Sequence, residues 1–146
     1  MKKLLKRTMS TMAVILALGT TAANAGVLPE PRQSGTTTSL SAGWTYEQVD
    51  AMNAVARDYN LHMIFTAHTG QYLSDIPVSI RNARGEVVMA GDQEGPLLWV
   101  KVPPGRYTVT AQYRGKAQVR QVSVGTTAKG KMIMRWNAPL IDSDKE

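Results

Sequence analysis

The feature that most constrains this fold is an alternation of apolar and polar side chains with a period of two, which runs from Leu61 to Trp136. A two-residue period places successive side chains on opposite faces of a β-strand. The alternating stretches are short, and turn sequences such as residues 82–85 and 103–105 separate them. Six or seven short strands without βαβ alternation predict an all-β chain, a Greek-key β-sandwich over residues 61–136.

Two details of the alternation make sharper predictions. Its apolar parity changes between Val119 and Val122, and a one-residue change of this kind predicts a β-bulge near Arg120 and Gln121. Residues 131–136 are predicted to form a last strand that closes a sheet before a polar tail at residues 137–146.

One amphipathic helix is predicted ahead of these strands. Thr45 followed three residues later by Gln48 is a capping box, the usual signature of a helix N-terminus. Apolar side chains then recur at three- and four-residue spacing, at Val49, Met52, Val55, Ala56 and Tyr59. The pattern predicts an N-terminal helix over residues 46–59, in a segment 44–60 that packs on the sandwich, with Asn60 as its left-handed stop.

The residues before the helix divide into two segments. Residues 1–25 have a basic start, an apolar run of seven residues and a small-x-small ending at Ala25, a combination typical of a cleaved signal peptide. The apolar run is far shorter than the roughly 20 residues that a membrane-spanning helix needs. We therefore expect a periplasmic or secreted protein that begins at Gly26, with residues 26–43, rich in Pro, Gly, Ser and Thr, as a flexible leader.

Charge and cysteine content narrow the function classes. Four of the 17 basic residues lie in residues 1–25, so the remaining chain carries 13 basic and 11 acidic residues, and this near balance argues against nucleic-acid binding. Residues 101–135 nevertheless hold eight basic residues and no acidic one, which indicates either contact with an anionic surface or solvated strand faces. The chain has no cysteine, so disulfides and thiol chemistry are excluded.

Several of these residues resemble a known domain family. Pro77-Val-Ser-Ile80, Gly85 and above all Val102-Pro-Pro-Gly-Arg-Tyr-Thr-Val109, with Gly115 a few residues on, are similar to the carboxypeptidase regulatory-like family. The resemblance covers residues 60–125. It implies a transthyretin-like, Ig-like sandwich in a family whose members share a scaffold and not a chemistry.

No catalytic or cofactor-binding constellation is found in the sequence, so we expect no enzyme activity, no metal and no cofactor. His62 and His68 lie six residues apart in one predicted strand, about 20 Å, which is too far to ligate one ion, and both are expected at the surface. Asp92 and Glu94 are expected in a solvated turn at residues 90–96. An enzyme with a dispersed site is an alternative.

Five residues are candidate binding positions: Trp99, Lys101, Arg114, Lys116 and Arg120. Trp99 shares a predicted strand face with Lys101, where an exposed indole beside a cation suits a sugar, a peptide or a lipid headgroup. The competing interpretation packs Trp99 beneath the apolar face of the helix. The other three surround a predicted hairpin and are the best candidate contact for an anion.

The expected function is therefore binding. We expect a non-enzymatic module that binds a component of the cell envelope by docking a protein or peptide along a sheet edge, with a glycan or an anionic lipid as variants. A structural or accessory subunit of a larger envelope assembly is the second alternative. The sequence makes no prediction of the oligomeric state.

Overall fold

The computed structural model describes residues 27–137 and contains two β-sheets in a sandwich-like arrangement and one short α-helix. The strands, numbered in chain order, are β1 (Arg32–Ser34), β2 (Thr37–Ala42), β3 (Leu61–Ala67), β4 (Ile76–Arg81), β5 (Val87–Glu94), β6 (Leu97–Lys101), β7 (Gly105–Tyr113), β8 (Lys116–Val124) and β9 (Lys131–Trp136). The prediction of a mainly β chain is confirmed, with nine strands in place of six or seven.

The two sheets are open and differ in size. The five-stranded sheet has the order β1-β2-β6-β3-β9, and the four-stranded sheet has the order β5-β4-β7-β8. Neighbouring strands are antiparallel except for β3 and β9, which run parallel. β9 has the predicted bounds, residues 131–136, and forms one edge of the five-stranded sheet.

The main core fills the space between the sheets. The five-stranded sheet contributes the inward side chains of β3, β6 and β9, among them the fully buried Met63 and Phe65. The four-stranded sheet contributes Val78, Ile80 and Val109 from β4 and β7. Full burial of an apolar side chain of this size stabilises the folded state by about 1.5–3 kcal/mol, so this core is the main force that holds the two sheets together.

A second apolar cluster covers the opposite face of the five-stranded sheet, beneath helix α1 (Tyr46–Ala54). Trp99 on β6 is fully buried in this cluster, together with Leu97 and Met52. The indole N–H of Trp99 donates a hydrogen bond of 2.6 Å to the carbonyl of Met52, which joins the sheet to the helix. Because Leu98 and Val100 face the main core, β6 is buried on both faces.

Helix α1 begins at the predicted capping box. The backbone N–H of Gln48 donates to the side-chain oxygen of Thr45 at 3.1 Å, and the side-chain oxygen of Gln48 accepts from the backbone N–H of Trp44 at 2.9 Å. The first bond satisfies a donor that a helix N-terminus leaves free, and the second fixes the chain that leads into the helix. The predicted helix start at Thr45 is therefore confirmed, although the side chain of Gln48 accepts from Trp44 and Gly43 and not from Thr45 as in a regular capping box.

The position and the length of the predicted helix were wrong. Two strands precede α1, so the helix is not N-terminal to the strands. It ends at Ala54, where Val55 leaves helical geometry, and a 3-10 turn (Ala56–Asp58) follows. The break has a packing reason, because the tighter turn brings Tyr59 back into the cluster beneath α1.

Residues 26–43 are not a flexible leader where the structure describes them. β1 and β2 form a hairpin, and β2 pairs with β6 along its length. Leu40 and Ala42 lie in the cluster beneath α1, while Thr37 and Ser39 are buried on the other face of β2. The prediction was wrong because Ser and Thr are frequent in linkers, but small side chains also suit a strand that is covered on both faces.

A buried carboxylate joins β1 to β5. Glu94, at the end of β5, is 2% exposed, and its Oε1 accepts a hydrogen bond of 2.7 Å from Arg32. A Cβ on Gly91 would collide with this carboxylate, so the glycine leaves the space that the Glu94 side chain fills. The solvated turn predicted for residues 90–96 is wrong because β5 continues through Glu94, whose charge is paired inside the fold, although Asp92 is exposed.

The ladder between β7 and β8 is uninterrupted, because its register does not shift from one end of β8 to the other. The bulge predicted near Arg120 and Gln121 is therefore wrong. Val119 is 61% exposed on the outer face of the sheet, whereas Val122 lies on the inner face. Both valines therefore fit one regular strand without a bulge. Register shifts occur instead between β4 and β5.

The predicted signal peptide at residues 1–25 and residues 138–146 of the predicted polar tail lie outside the described residues. The cleavage site after Ala25 therefore stays a prediction. None of the helical segments in residues 27–137 is long and apolar enough to cross a membrane.

Candidate binding groove beside strand β8

β8 is a long strand at an edge of the four-stranded sheet. Its nine residues pair with β7, and within residues 27–137 no other strand pairs with it. An edge strand presents a row of peptide N–H and C=O groups to whatever lies beside it. Proteins often protect such an edge from further pairing with a proline or a β-bulge. β8 contains no proline, and its register with β7 does not shift.

The turn before β8 determines which of its peptide groups point outward. Arg114 and Gly115 connect β7 to β8 with φ values of 51° and 81°, the two positive angles of a type I′ hairpin turn. Such a turn makes Tyr113 and Lys116 a hydrogen-bonded pair, and every second residue of β8 then bonds to β7. The peptide groups of residues 117, 119, 121 and 123 therefore point away from β7.

A groove of about 260 Å³ lies between this edge and β9. One wall is the second half of β8, from Arg120 onward, and the other is the start of β9, with Lys131 and Met132. The loop at residues 125–130 and the chain at residues 60–62 complete the lining of this space, hereafter the β8–β9 groove.

The β8–β9 groove is cationic. Three exposed and positively charged side chains line it, Arg120, Lys129 and Lys131, and the described lining residues include no Asp or Glu. Arg120 lies on the face of β8 that turns towards the other sheet, because its partner on β7 is the buried Val109. Three like charges attract an anionic group, and the attraction weakens as ionic strength rises.

Asn60 connects three parts of the chain at the base of the groove. Its side-chain nitrogen donates to the carbonyls of Val102 and Gly125 at 2.7 and 2.8 Å, and its side-chain oxygen accepts from the N–H of Val102 at 3.0 Å. These bonds fix the loop that follows β8 against the beginning of β3. The predicted left-handed stop at Asn60 is wrong, since Asn60 is not among the described residues with positive φ and its side chain serves these bonds.

His62 also lines the groove, and it is buried instead of lying at the surface as predicted. Its Nε2 lies 2.8 Å from the carbonyl of Ala56 and 3.1 Å from that of Tyr59, so this nitrogen carries a proton and donates to them. The ring packs on Trp99, with 4.6 Å between ring centroids. His62 therefore ties the 3-10 turn to β3, whereas His68 is exposed.

At the start of β8, outside the groove, side chains connect β8 to β9. The indole N–H of Trp136 donates to the carbonyl of Lys116 at 2.8 Å, and the side-chain amide of Gln118 donates to the carbonyl of Arg135 at 2.5 Å. These bonds hold the two strands together at the start of β8. The groove is consequently confined to the half of β8 that begins at Arg120.

The structure separates the five predicted binding residues. Trp99 is fully buried beneath α1, so it offers no surface to a ligand, and the packing interpretation is confirmed. Lys101 lines a different cleft, while Arg114 and Lys116 lie at the hairpin turn. Of the five, Arg120 lines the β8–β9 groove.

The cleft that contains Lys101 is less suited to an anion. It also contains the carboxylate of Asp58, so its charge is mixed. Burial, and secondarily Asp58, raises the pKa of Tyr59 in the same cleft above its usual value of 10.0. Tyr59 therefore adds no charge to this cleft. Because the cleft has mixed charge and the β8–β9 groove is lined by cations alone, the groove is the stronger candidate site for an anion.

Two of the three cations in the groove were missed by the sequence reasoning. Lys129 lies in the loop that follows β8 and Lys131 begins β9, and the return of the chain into β9 brings both to the groove that Arg120 lines. The sequence does show that residues 101–135 contain basic residues and no acidic one. This observation identifies a segment of the chain, but it does not say which of its side chains lie together on one surface.

No protein-family model matches the chain, and no curated protein matches its sequence. The resemblance of residues 60–125 to the carboxypeptidase regulatory-like family therefore stays a prediction.

Replacement of Asn60 tests the base of the groove. Asn60→Ala removes three hydrogen bonds and leaves the N–H of Val102 without its partner, so we expect the free energy of unfolding to fall by about 2–4 kcal/mol. Urea unfolding measures this change, and Asn53→Ala, at an exposed position of α1, is the control, for which we expect no loss and a gain below about 1 kcal/mol from the higher helix propensity of alanine. A loss below about 0.5 kcal/mol for Asn60→Ala would contradict this role, because surface substitutions alone produce that much.

Proposed function

We propose that this chain is an exported, non-catalytic β-sandwich module that binds an extended protein or peptide segment of the cell envelope. The bound segment adds to the four-stranded sheet as a further strand beside β8. The observation that carries the proposal is β8 itself, whose nine regular residues have no second partner strand within residues 27–137.

Strand addition suits this edge for two reasons. Main-chain hydrogen bonds to an exposed edge provide affinity, and pockets beside the edge, which receive alternate side chains, provide specificity. β8 supplies both, through the outward peptide groups of residues 117, 119, 121 and 123 and through the β8–β9 groove beside its second half. Val119, 61% exposed on the outer face, adds apolar contact for a side chain of the incoming strand.

We also propose that the domain is a Greek-key sandwich of the carboxypeptidase regulatory-like, transthyretin-like type. The two-sheet architecture supports this, and so does the placement of the motif at residues 102–109. Pro103 and Pro104 precede β7, and Tyr107 and Val109 then enter the main core. The hydroxyl of Tyr107 donates to the carbonyl of Pro103 at 2.6 Å, which fixes the turn against the strand.

Export is the part of the proposal that rests on residues 1–25. When the full sequence is expressed in a bacterial cell with a general secretion pathway, we expect the purified protein to begin at Gly26 and to lie in the periplasmic or extracellular fraction. Intact mass and cell fractionation measure this. A protein that keeps residues 1–25 and stays in the cytoplasm would contradict export and leave the binding site untouched.

A proline in β8 tests strand addition. The N–H of residue 119 points away from β7, so Val119→Pro removes a donor that an added strand needs and keeps the β7 ladder. We expect Val119→Pro to remain folded and to bind extended peptides at least tenfold more weakly than the unmodified chain. The probes are the heptapeptides TEVEVET and TQVQVQT, and the readout is the amide chemical shift of residues 117–123.

Val119→Thr is the matched control, because it keeps the N–H and the β-branched shape. It should bind the probes nearly as tightly as the unmodified chain, because it loses only the apolar contact of one exposed methyl group. Circular dichroism establishes that both variants fold. Equal binding by folded Val119→Pro, or shift changes confined to residues far from β8, would contradict strand addition.

A further inference from the structure

The two faces of β8 present different charge to an added strand. Arg120 shares a face of β8 with Val122, and this face turns towards Lys129 and Lys131 across the groove. The opposite face of β8 is uncharged in the same stretch, with Val119, Gln121 and Ser123. A strand docked on β8 therefore meets the cation of β8 itself and those of the groove on one face, whereas Arg106, on the outer face opposite Ser123, lies one strand further away on β7.

We propose that the partner is an acidic protein segment whose carboxylates recur at every second residue, so that they all face the β8–β9 groove. This inference rests on the proposed strand addition to β8. Side chains at alternate positions of a strand lie about 7 Å apart on one face. Carboxylates at that spacing follow the groove along Arg120 and Lys131, while the intervening side chains lie beside Val119 on the outer face.

Charge complementarity selects this occupant over a neutral segment. Residues 101–135, which include β7, β8 and all but the last residue of β9, contain eight basic residues and no acidic one, so these strands contribute only positive charge around the groove. Such a field accelerates the association of an acidic partner and disfavours a basic one. Opposite charges on neighbouring strands add favourable pairs, and like charges oppose pairing.

An inward-pointing charge on an edge strand also has a second explanation. Proteins place charged side chains at such positions to prevent edge-to-edge aggregation, and Arg120 meets that description. The two explanations make different predictions for Arg120→Gln. Protection predicts self-association without a change in peptide preference, whereas recognition predicts a weaker preference for acidic peptides.

The chain itself repeats the proposed spacing. Asp142, Asp144 and Glu146 occupy alternate positions near its C-terminus, and no acidic residue stands between Glu94 and Asp142. These carboxylates are chemically able to compete for the groove. The experiment is therefore also run in a variant with Asp142→Asn, Asp144→Asn and Glu146→Gln, in which the competition is absent.

The experiment compares three peptides that differ at the same three alternate positions, where Glu and Gln are nearly isosteric and Lys reverses the charge. TEVEVET is acidic, TQVQVQT is neutral and TKVKVKT is basic, and each is titrated into the protein purified after expression of the full sequence. We expect the acidic peptide to bind at least tenfold tighter than the neutral one at low salt, and the basic peptide to bind least. The difference should shrink at high salt, because screening weakens exposed charge pairs.

Two arginine variants locate the preference. Arg120→Gln should reduce the ratio of acidic to neutral affinity by two- to fivefold, the size expected for one exposed ion pair. Arg84→Gln is the matched control, because its arginine is exposed in the turn between β4 and β5, away from the groove, and it should leave the ratio unchanged.

The outcomes separate this inference from the proposed function. Equal binding of the acidic and neutral peptides at β8, or an unchanged ratio in Arg120→Gln, overturns the acidic preference and leaves strand addition in place. No binding of any peptide, in either tail background, overturns both. Binding to vesicles that contain an anionic phospholipid, lost in Arg120→Gln and without peptide binding, also overturns both and identifies a membrane surface as the occupant.

Discussion

The burial of β6 on both of its faces is the constraint on which the other layers depend. Leu98 and Val100 require the four-stranded sheet on one side, and Leu97 and Trp99 require a cover on the other. Helix α1 supplies that cover, and Leu40 and Ala42 of the neighbouring strand β2 extend the same apolar face. The carbonyl of Met52 accepts the indole N–H, which would otherwise be buried without a partner. The helix and the first hairpin are therefore integral parts of the fold, and the five-stranded sheet is covered on both sides around β6.

Because helix α1 and the hairpin of β1 and β2 are built into the fold in this way, they determine which sheet edges are left open. β1 is a short edge of three residues, β9 is fastened to β8 by the side chains of Trp136 and Gln118, and β5 has an irregular register with β4. Within residues 27–137, β8 alone combines length, a regular register and no proline with an edge position. The arrangement of the layers thus leaves β8 as the open edge at which we propose a binding site, and the adjacent cations favour an anionic partner there.

The two-residue period predicted the strands from β3 to β9, because alternation reports directly on which face of a strand is buried. It failed for β1 and β2, where Thr37 and Ser39 are buried although they are small and polar. The change of parity at Val119 suggested a bulge because an exposed valine cannot be distinguished from a buried one in sequence. The sequence analysis assigned Asn60 as a helix stop and Glu94 to a solvated turn, and it gave Lys129 no role. It failed there because the roles of these residues depend on partners far away in the chain.

β8 is regularly paired with β7 on one side and open on the other, and amide hydrogen exchange of its individual residues, followed by NMR, measures this difference. We expect exchange to alternate along the strand, slow at residues 118, 120, 122 and 124, which bond to β7, and fast at residues 117, 119, 121 and 123. Uniform protection along β8 would show that another strand already occupies the edge, and uniform fast exchange would show that β8 is not stably paired. Either result would contradict the claim that this edge is ready to receive a partner.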